Sequence, residues 1–153
     1  MSEQNTEKRQ VDIEQLLAEG VTVQIRPNGY SMYPMFLPGR DEALIAPAEP
    51  DKLKRGDVAL YRRDGSILVL HRIWKRKQDG FYFVGDNQAE VEGPLRPDQV
   101  KGILTAFIRK GRKISVHNPI YRLAAGIWLF LRPVRNPVKT LLARMKRLIK
   151  PPK

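Results

Sequence analysis

The sequence predicts a mainly β domain, a strongly bent sheet or partial barrel, preceded by a short helix and followed by a helical, basic C-terminal tail. Three observations carry this. Short runs of β-branched, aliphatic and aromatic residues recur between Gly and Pro turns from Val21 to Val116. After His117-Asn-Pro119 the apolar period changes to that of a helix. Charge is also divided: of 153 residues, those up to Asp98 carry 14 basic against 16 acidic side chains, and those after it carry 14 basic and none acidic. The formal charge of +12 therefore belongs to the end of the chain, and a globular domain with a nucleic-acid-binding face is not what it describes.

Taken in order, Val11, Ile13, Leu16 and Leu17 fall at near-helical spacing and Gly20 supplies a stop, so residues 10–19 read as a short amphipathic helix. Val21–Ile25 alternates and ends at Pro27-Asn-Gly29; Ala43–Ala46 is a short apolar strand closed by Pro47. Arg55-Gly-Asp57 introduces Val58–Arg62, which Asp64-Gly65 turns into Ile67–Trp74 as a hairpin. Asp79-Gly80 precedes Phe81–Val84, and Val100–Ile108 returns through Lys110-Gly-Arg112 as Lys113–Val116. In the tail, Tyr121–Leu131 is a first helical segment broken by Pro133. A second follows, with Asn136 as N-cap and Pro137 at its first position. There Val138, Leu141, Leu142, Met145, Leu148 and Ile149 form one apolar stripe, and Lys139, Arg144, Lys146, Arg147 and Lys150 occupy the remainder. The organisation is thus a polar segment and helix at 1–20, a β domain at 21–117 and a tail at 118–153.

The absence of Cys removes disulfides, thiolate metal sites and a cysteine nucleophile, and two histidines leave little for a zinc site, so no cofactor is expected. Met1–Gln10 is polar and lacks the apolar centre of an export signal. The longest apolar run, Leu123–Leu131, is nine residues of helix and covers less than half of a hydrocarbon core of about 30 Å. It can lie on a membrane but not cross it.

A serine hydroxyl becomes a nucleophile only beside a base. His71 lies in the strand Leu68-Val-Leu-His-Arg-Ile73, where alternation puts Val69, His71 and Ile73 on one face and Leu68, Leu70 and Arg72 on the other. Read alone, it is a structural histidine that has found a partner sooner than a base. His117, at the junction with the tail, reads as a loop residue. Ser31, in Gly29-Tyr-Ser-Met-Tyr-Pro-Met35, follows a turn at the mouth of a strand, where backbone N–H groups stay outside a regular ladder and can face an oxyanion. A turn serine bonded to its own backbone fits the same pattern.

Four boxes in order add context: Gly-Tyr-Ser-Met-Tyr-Pro at 29–34, Arg-Gly-Asp-Val-Ala at 55–59, Val-Leu-His-Arg-Ile at 69–73 and Gly-Asp-Asn at 85–87. Over residues 21–109 the chain resembles the signal peptidase I superfamily, and within it the Ser-His branch found among archaeal, endoplasmic-reticulum and sporulation-type signal peptidases. LexA-type proteases share that fold but carry a lysine where this sequence has His71. The resemblance implies a serine endopeptidase with Ser31 as nucleophile, His71 as general base and the Ser31 N–H in an oxyanion hole. It also implies an acid orienting His71. Asp86 is the first candidate, with Glu90 and Glu92 as alternatives. Gly56, Asp57 and Gly85 read as structural. The family's N-terminal membrane helix has no counterpart in residues 1–20, which points to a narrower precursor-protein or peptide substrate than general preprotein processing. The alternatives are a LexA-like self-processing protease and a non-catalytic binding module of the same fold.

The tail's charge attracts nucleic acid or anionic lipid. An aliphatic stripe suits a membrane surface, as do Trp128 and Phe130, so the expected lipid contacts are Trp128, Phe130, Leu141, Leu142, Met145, Leu148 and Ile149. The competing reading packs this stripe on the protein's own β core. A peripheral membrane or cytoplasmic location follows, with the cytoplasmic face favoured by the basic tail.

Overall fold

The computed structural model describes residues 12–149. Helix α1 (Ile13–Ala18) starts where the Asp12 carboxylate accepts the N–H groups of Glu14 and Gln15, satisfying two of the donors a helix start leaves open. Val11, placed in this helix from the sequence, lies outside the described residues.

Eight strands follow: β1 (Val23–Ile25), β2 (Asp41–Pro47), β3 (Val58–Arg62), β4 (Leu68–Lys77), β5 (Gly80–Val84), β6 (Glu92–Leu95), β7 (Val100–Arg109) and β8 (Arg112–Ser115). They form one antiparallel sheet in the order β1-β2-β7-β3-β4-β5-β6, with β8 added on β7, and it does not close. The mainly β fold read from the sequence is the one observed. Strand β6 was not expected, because Gly93-Pro94 reads as a breaker; Pro is tolerated there because β6 ends the sheet order and needs no N–H on its outer side. Register shifts in the β2–β7, β3–β7 and β4–β5 pairs bend the sheet, as β-bulges do.

The bend gives two apolar cores. One gathers Leu17, Met32, Phe36, Ile45, Leu60 and Leu104 under α1 and the segment that carries Ser31. The other gathers Leu53, Tyr61, Ile73, Phe81, Phe83 and Val100 on the opposite face. Alternation along β4 sends Leu70 to the first and Ile73 to the second, as the strand period requires.

In the tail, Asn118 caps α2 (Pro119–Phe130), accepting the N–H groups of Ile120 and Tyr121. Helix α3 (Arg132–Ile149) begins one residue after Leu131. The expected start at an Asn136 cap is therefore corrected. Pro133 takes the first turn of α3, where a missing N–H costs nothing, and the helix continues through Pro137. Among the described residues no helix is long and apolar enough to cross a membrane.

Candidate active site

Strand register builds the site. Ala59 faces His71 and Tyr61 faces Val69 across the β3–β4 pair; Ile73 faces Phe83 across β4–β5; Phe83 faces Glu92 across β5–β6. Tyr61, His71, Phe83 and Glu92 thus share one face of four consecutive strands. The Tyr61 ring stacks on Phe83 at a centroid distance of 4.3 Å, which fixes its hydroxyl between two partners. That hydroxyl donates to Glu92 Oε2 at 2.7 Å and lies 3.0 Å from His71 Nδ1. Its single hydrogen is committed to Glu92, so its oxygen accepts from the imidazole. This network assigns the His71 proton to Nδ1 and leaves Nε2 as the basic nitrogen. Arg63 closes the chain with two bonds to the Glu92 carboxylate, at 2.6 and 2.8 Å.

The electrostatics agree with that assignment. Burial pushes the His71 imidazole down to about 4, against a smaller upward pull from Glu92, so the ring is neutral at pH 7. Burial raises the Glu92 carboxyl, but the bonds from Arg63 and Tyr61 outweigh it and hold it below the usual carboxylate range. Burial and the Glu92 charge together raise the Tyr61 phenol, which therefore stays protonated.

Ser31 and His71 line one cavity of about 510 Å³, with Met32, Leu68, Leu70 and Gln88. They do not hydrogen-bond to each other; in a resting site such a contact often tightens only on substrate binding. Among the described residues the Ser31 N–H donates to no protein acceptor, which suits it to an incoming oxyanion. The Ser31 carbonyl, by contrast, is held: Asn87 N–H donates to it at 2.8 Å. Gly85 packs so closely that a Cβ there would stand 2.6 Å from the same oxygen. On the other side of Ser31 the chain is anchored through Asp41, whose carboxylate takes Arg40, Arg109 and the Leu37 N–H, while Arg109 also donates to the Met35 carbonyl at 2.7 Å. Burial raises the Asp41 carboxyl, but the arginine and backbone bonds outweigh it and keep it ionised.

Asp86 makes no hydrogen bond to His71, although its charge adds a small upward pull on the imidazole. Arg72 faces Val84 across β4–β5, Asp86 lies two residues further along, and Arg72 grips it at 2.7 Å through both Nε and Nη2. Both side chains are almost fully buried, and Arg72 also donates to the Gly56 carbonyl at 2.8 Å. His71 and Arg72 point to opposite faces of β4, so Asp86 serves the arginine. Glu90 is exposed. Of the three acids, Glu92 is the one linked to the imidazole by hydrogen bonds, through Tyr61. Nothing in the sequence reading singled out Tyr61, Arg63, Asp41 or Arg109. The signal that could have found Tyr61 was the Asp64-Gly65 hairpin, whose register puts residue 61 diagonal to 71.

His117 is exposed and lines a second cavity of about 570 Å³, between α2 and the sheet, that contains neither Ser31 nor His71. The tail also differs from expectation at Trp128. Its indole N–H donates to the Asp86 carbonyl at 2.9 Å and its ring lies under Arg135, so it faces the β domain rather than outward. Phe130, Leu141, Leu142, Met145 and Leu148 are exposed. The Ile149 side chain lies outside what is described. No protein-family model, curated protein or solved structure matches the chain.

Proposed function

We propose that this chain is a serine endopeptidase of signal-peptidase-like type that works at a membrane surface. The observation that carries this reading is the cavity shared by Ser31 and His71, with the imidazole buried, neutral and tied by Nδ1 to the Tyr61–Glu92–Arg63 chain. In the proposed reaction His71 Nε2 takes the hydroxyl proton as Ser31 Oγ bonds to the scissile carbonyl carbon, and the Ser31 N–H steadies the oxyanion. The imidazolium then gives its proton to the leaving amine as the C–N bond breaks. Water, deprotonated by the same nitrogen, releases the acyl group from Ser31. Glu92 stabilises the imidazolium through the Tyr61 hydroxyl without receiving a proton.

The tail supports a surface location: α3 exposes an aliphatic face beside Arg144 and Arg147. The anionic leaflet such a face fits is the cytoplasmic one. A serine-reactive fluorophosphonate followed by intact mass tests the chemistry. One adduct on Ser31 is expected, lost in Ser31→Ala and in His71→Ala; undiminished labelling in either variant refutes the mechanism.

A further inference from the structure

The cations of the tail are not all turned to solvent. Arg132 Nη2 donates to the Ala89 carbonyl, Arg135 Nη1 to the Asp86 carbonyl at 3.0 Å, and Lys139 Nζ to Asn87 Oδ1 at 2.9 Å. Trp128 adds the bond to the Asp86 carbonyl from α2. Four tail side chains thus close on three residues, Asp86, Asn87 and Ala89, of the loop whose Asn87 N–H holds the Ser31 carbonyl. The arginines are seated rather than merely near: Arg135 lies 3.8 Å over Trp128, and Arg132 lies 4.9 Å over Trp74, which also carries Arg55 at 4.6 Å. Each has its Nε out of water without an acceptor, a cost that a solvated face would not carry.

Helix geometry separates this set from the apolar face. Arg132, Arg135 and Lys139 recur at three and four residues, and Val134, Val138, Leu141, Met145 and Leu148 form a second row about 120° around the axis. A surface can therefore cover the second row while the first stays on the loop.

We propose that Trp128, Arg132, Arg135 and Lys139 are positioning residues for the nucleophile, and that an anionic membrane bound to the apolar row of α3 strengthens their hold on the 86–89 loop. The active site is thereby set most firmly where the membrane is. This rests on the reading of Ser31 as nucleophile, and two measurements on the full chain keep the two ideas apart. Hydrogen exchange at the Asn87 amide reads the clamp without any chemistry. It should be slower on vesicles of mixed anionic and zwitterionic phospholipid than in solution. In Arg135→Ala/Lys139→Ala it should be roughly tenfold faster in solution and no longer respond to vesicles. Fluorophosphonate labelling reads the serine: vesicles should accelerate it in the parent, while the double variant should label slowly, bind vesicles through its intact apolar row and recover with Arg135→Lys/Lys139→Arg. Unchanged Asn87 exchange overturns the clamp. Altered exchange with unaltered labelling overturns the positioning role. A parent chain that is never labelled overturns the peptidase reading instead, and with it the role assigned to these residues, whatever the exchange shows.

Discussion

His71 is 3% exposed, and its neutral form is the one the fold accommodates. Its pKa falls from 6.5 in an unfolded chain to about 4 here, so between those values the unfolded state binds a proton that the folded state refuses. The sign follows: stability is full above pH 6.5, declines as pH falls and reaches its floor near 4, a loss of about 3 kcal/mol from this residue. Urea midpoints measured across that window should drop with acidity, and less steeply in His71→Gln. In the proposed mechanism the same shift keeps the base available in acid. Ser31 labelling should stay near its neutral-pH rate at pH 5 and fail only towards 4; an acid limb at 6.5 would place the imidazole in water. Tyr61→Phe removes the oxygen that accepts the Nδ1 proton and cuts Glu92 off from the imidazolium. Labelling should slow roughly tenfold to a hundredfold, with the phenyl ring still stacked on Phe83 and little change in folding.

Elements are joined at this site by one buried pair. Arg72 on β4 ties the Asp86 loop after β5 to the Gly56 carbonyl before β3, so three segments meet on one guanidinium. Asp86→Asn leaves that charge buried beside a neutral partner and should cost about 3–5 kcal/mol in urea unfolding, more than the paired change Arg72→Met/Asp86→Leu. Gly85→Ala acts on the same loop by contact, since its Cβ would meet a carbonyl that cannot swing aside; Ser31 labelling should fall with it. How much of this was legible follows from what each element needs. The β3, β4 and β7 strands announce themselves because runs of strand composition held between turn residues have few other readings. Strand β6 does not, because an edge strand holding Gly93-Pro94 satisfies pairing without strand composition. Ser31 and His71 were visible as residue types in motif context. The Tyr61–Glu92 link was not, because it depends on register across four strands, and the Arg72–Asp86 pair was hidden for the same reason: neighbours 71 and 72 face opposite sides. Pro137 misplaced the start of α3, since proline signals a helix start more strongly than it forbids a helix already begun.

At the scale of the whole molecule, the charge that dominates composition has two uses. Arg132, Arg135 and Lys139 face the protein's own loop, whereas Arg144 and Arg147 flank an apolar row whose last described member, Leu148, is 85% exposed. The reading in which this row packs on the β core is therefore excluded for α3, and Ile120, Leu123 and Phe130 extend exposed apolar surface along α2. A lipid surface and a nucleic acid make opposite demands on it. If phosphates of a nucleic acid were the partner, binding would fall steeply with salt and ignore the leucines. If the row inserts, each leucine contributes about 1.5–3 kcal/mol, so Leu141→Ser/Leu148→Ser should weaken partitioning to anionic vesicles roughly a hundredfold or more. Salt should then remove only the share carried by Lys and Arg: raising ionic strength from about 0.1 to 1 M shortens screening from about 10 to 3 Å and leaves the apolar share intact. Vesicle flotation of the parent and this variant at both salt concentrations separates the cases. Binding that survives salt in the parent and is lost in the variant identifies a membrane surface, and binding abolished by salt but indifferent to the leucines rejects it.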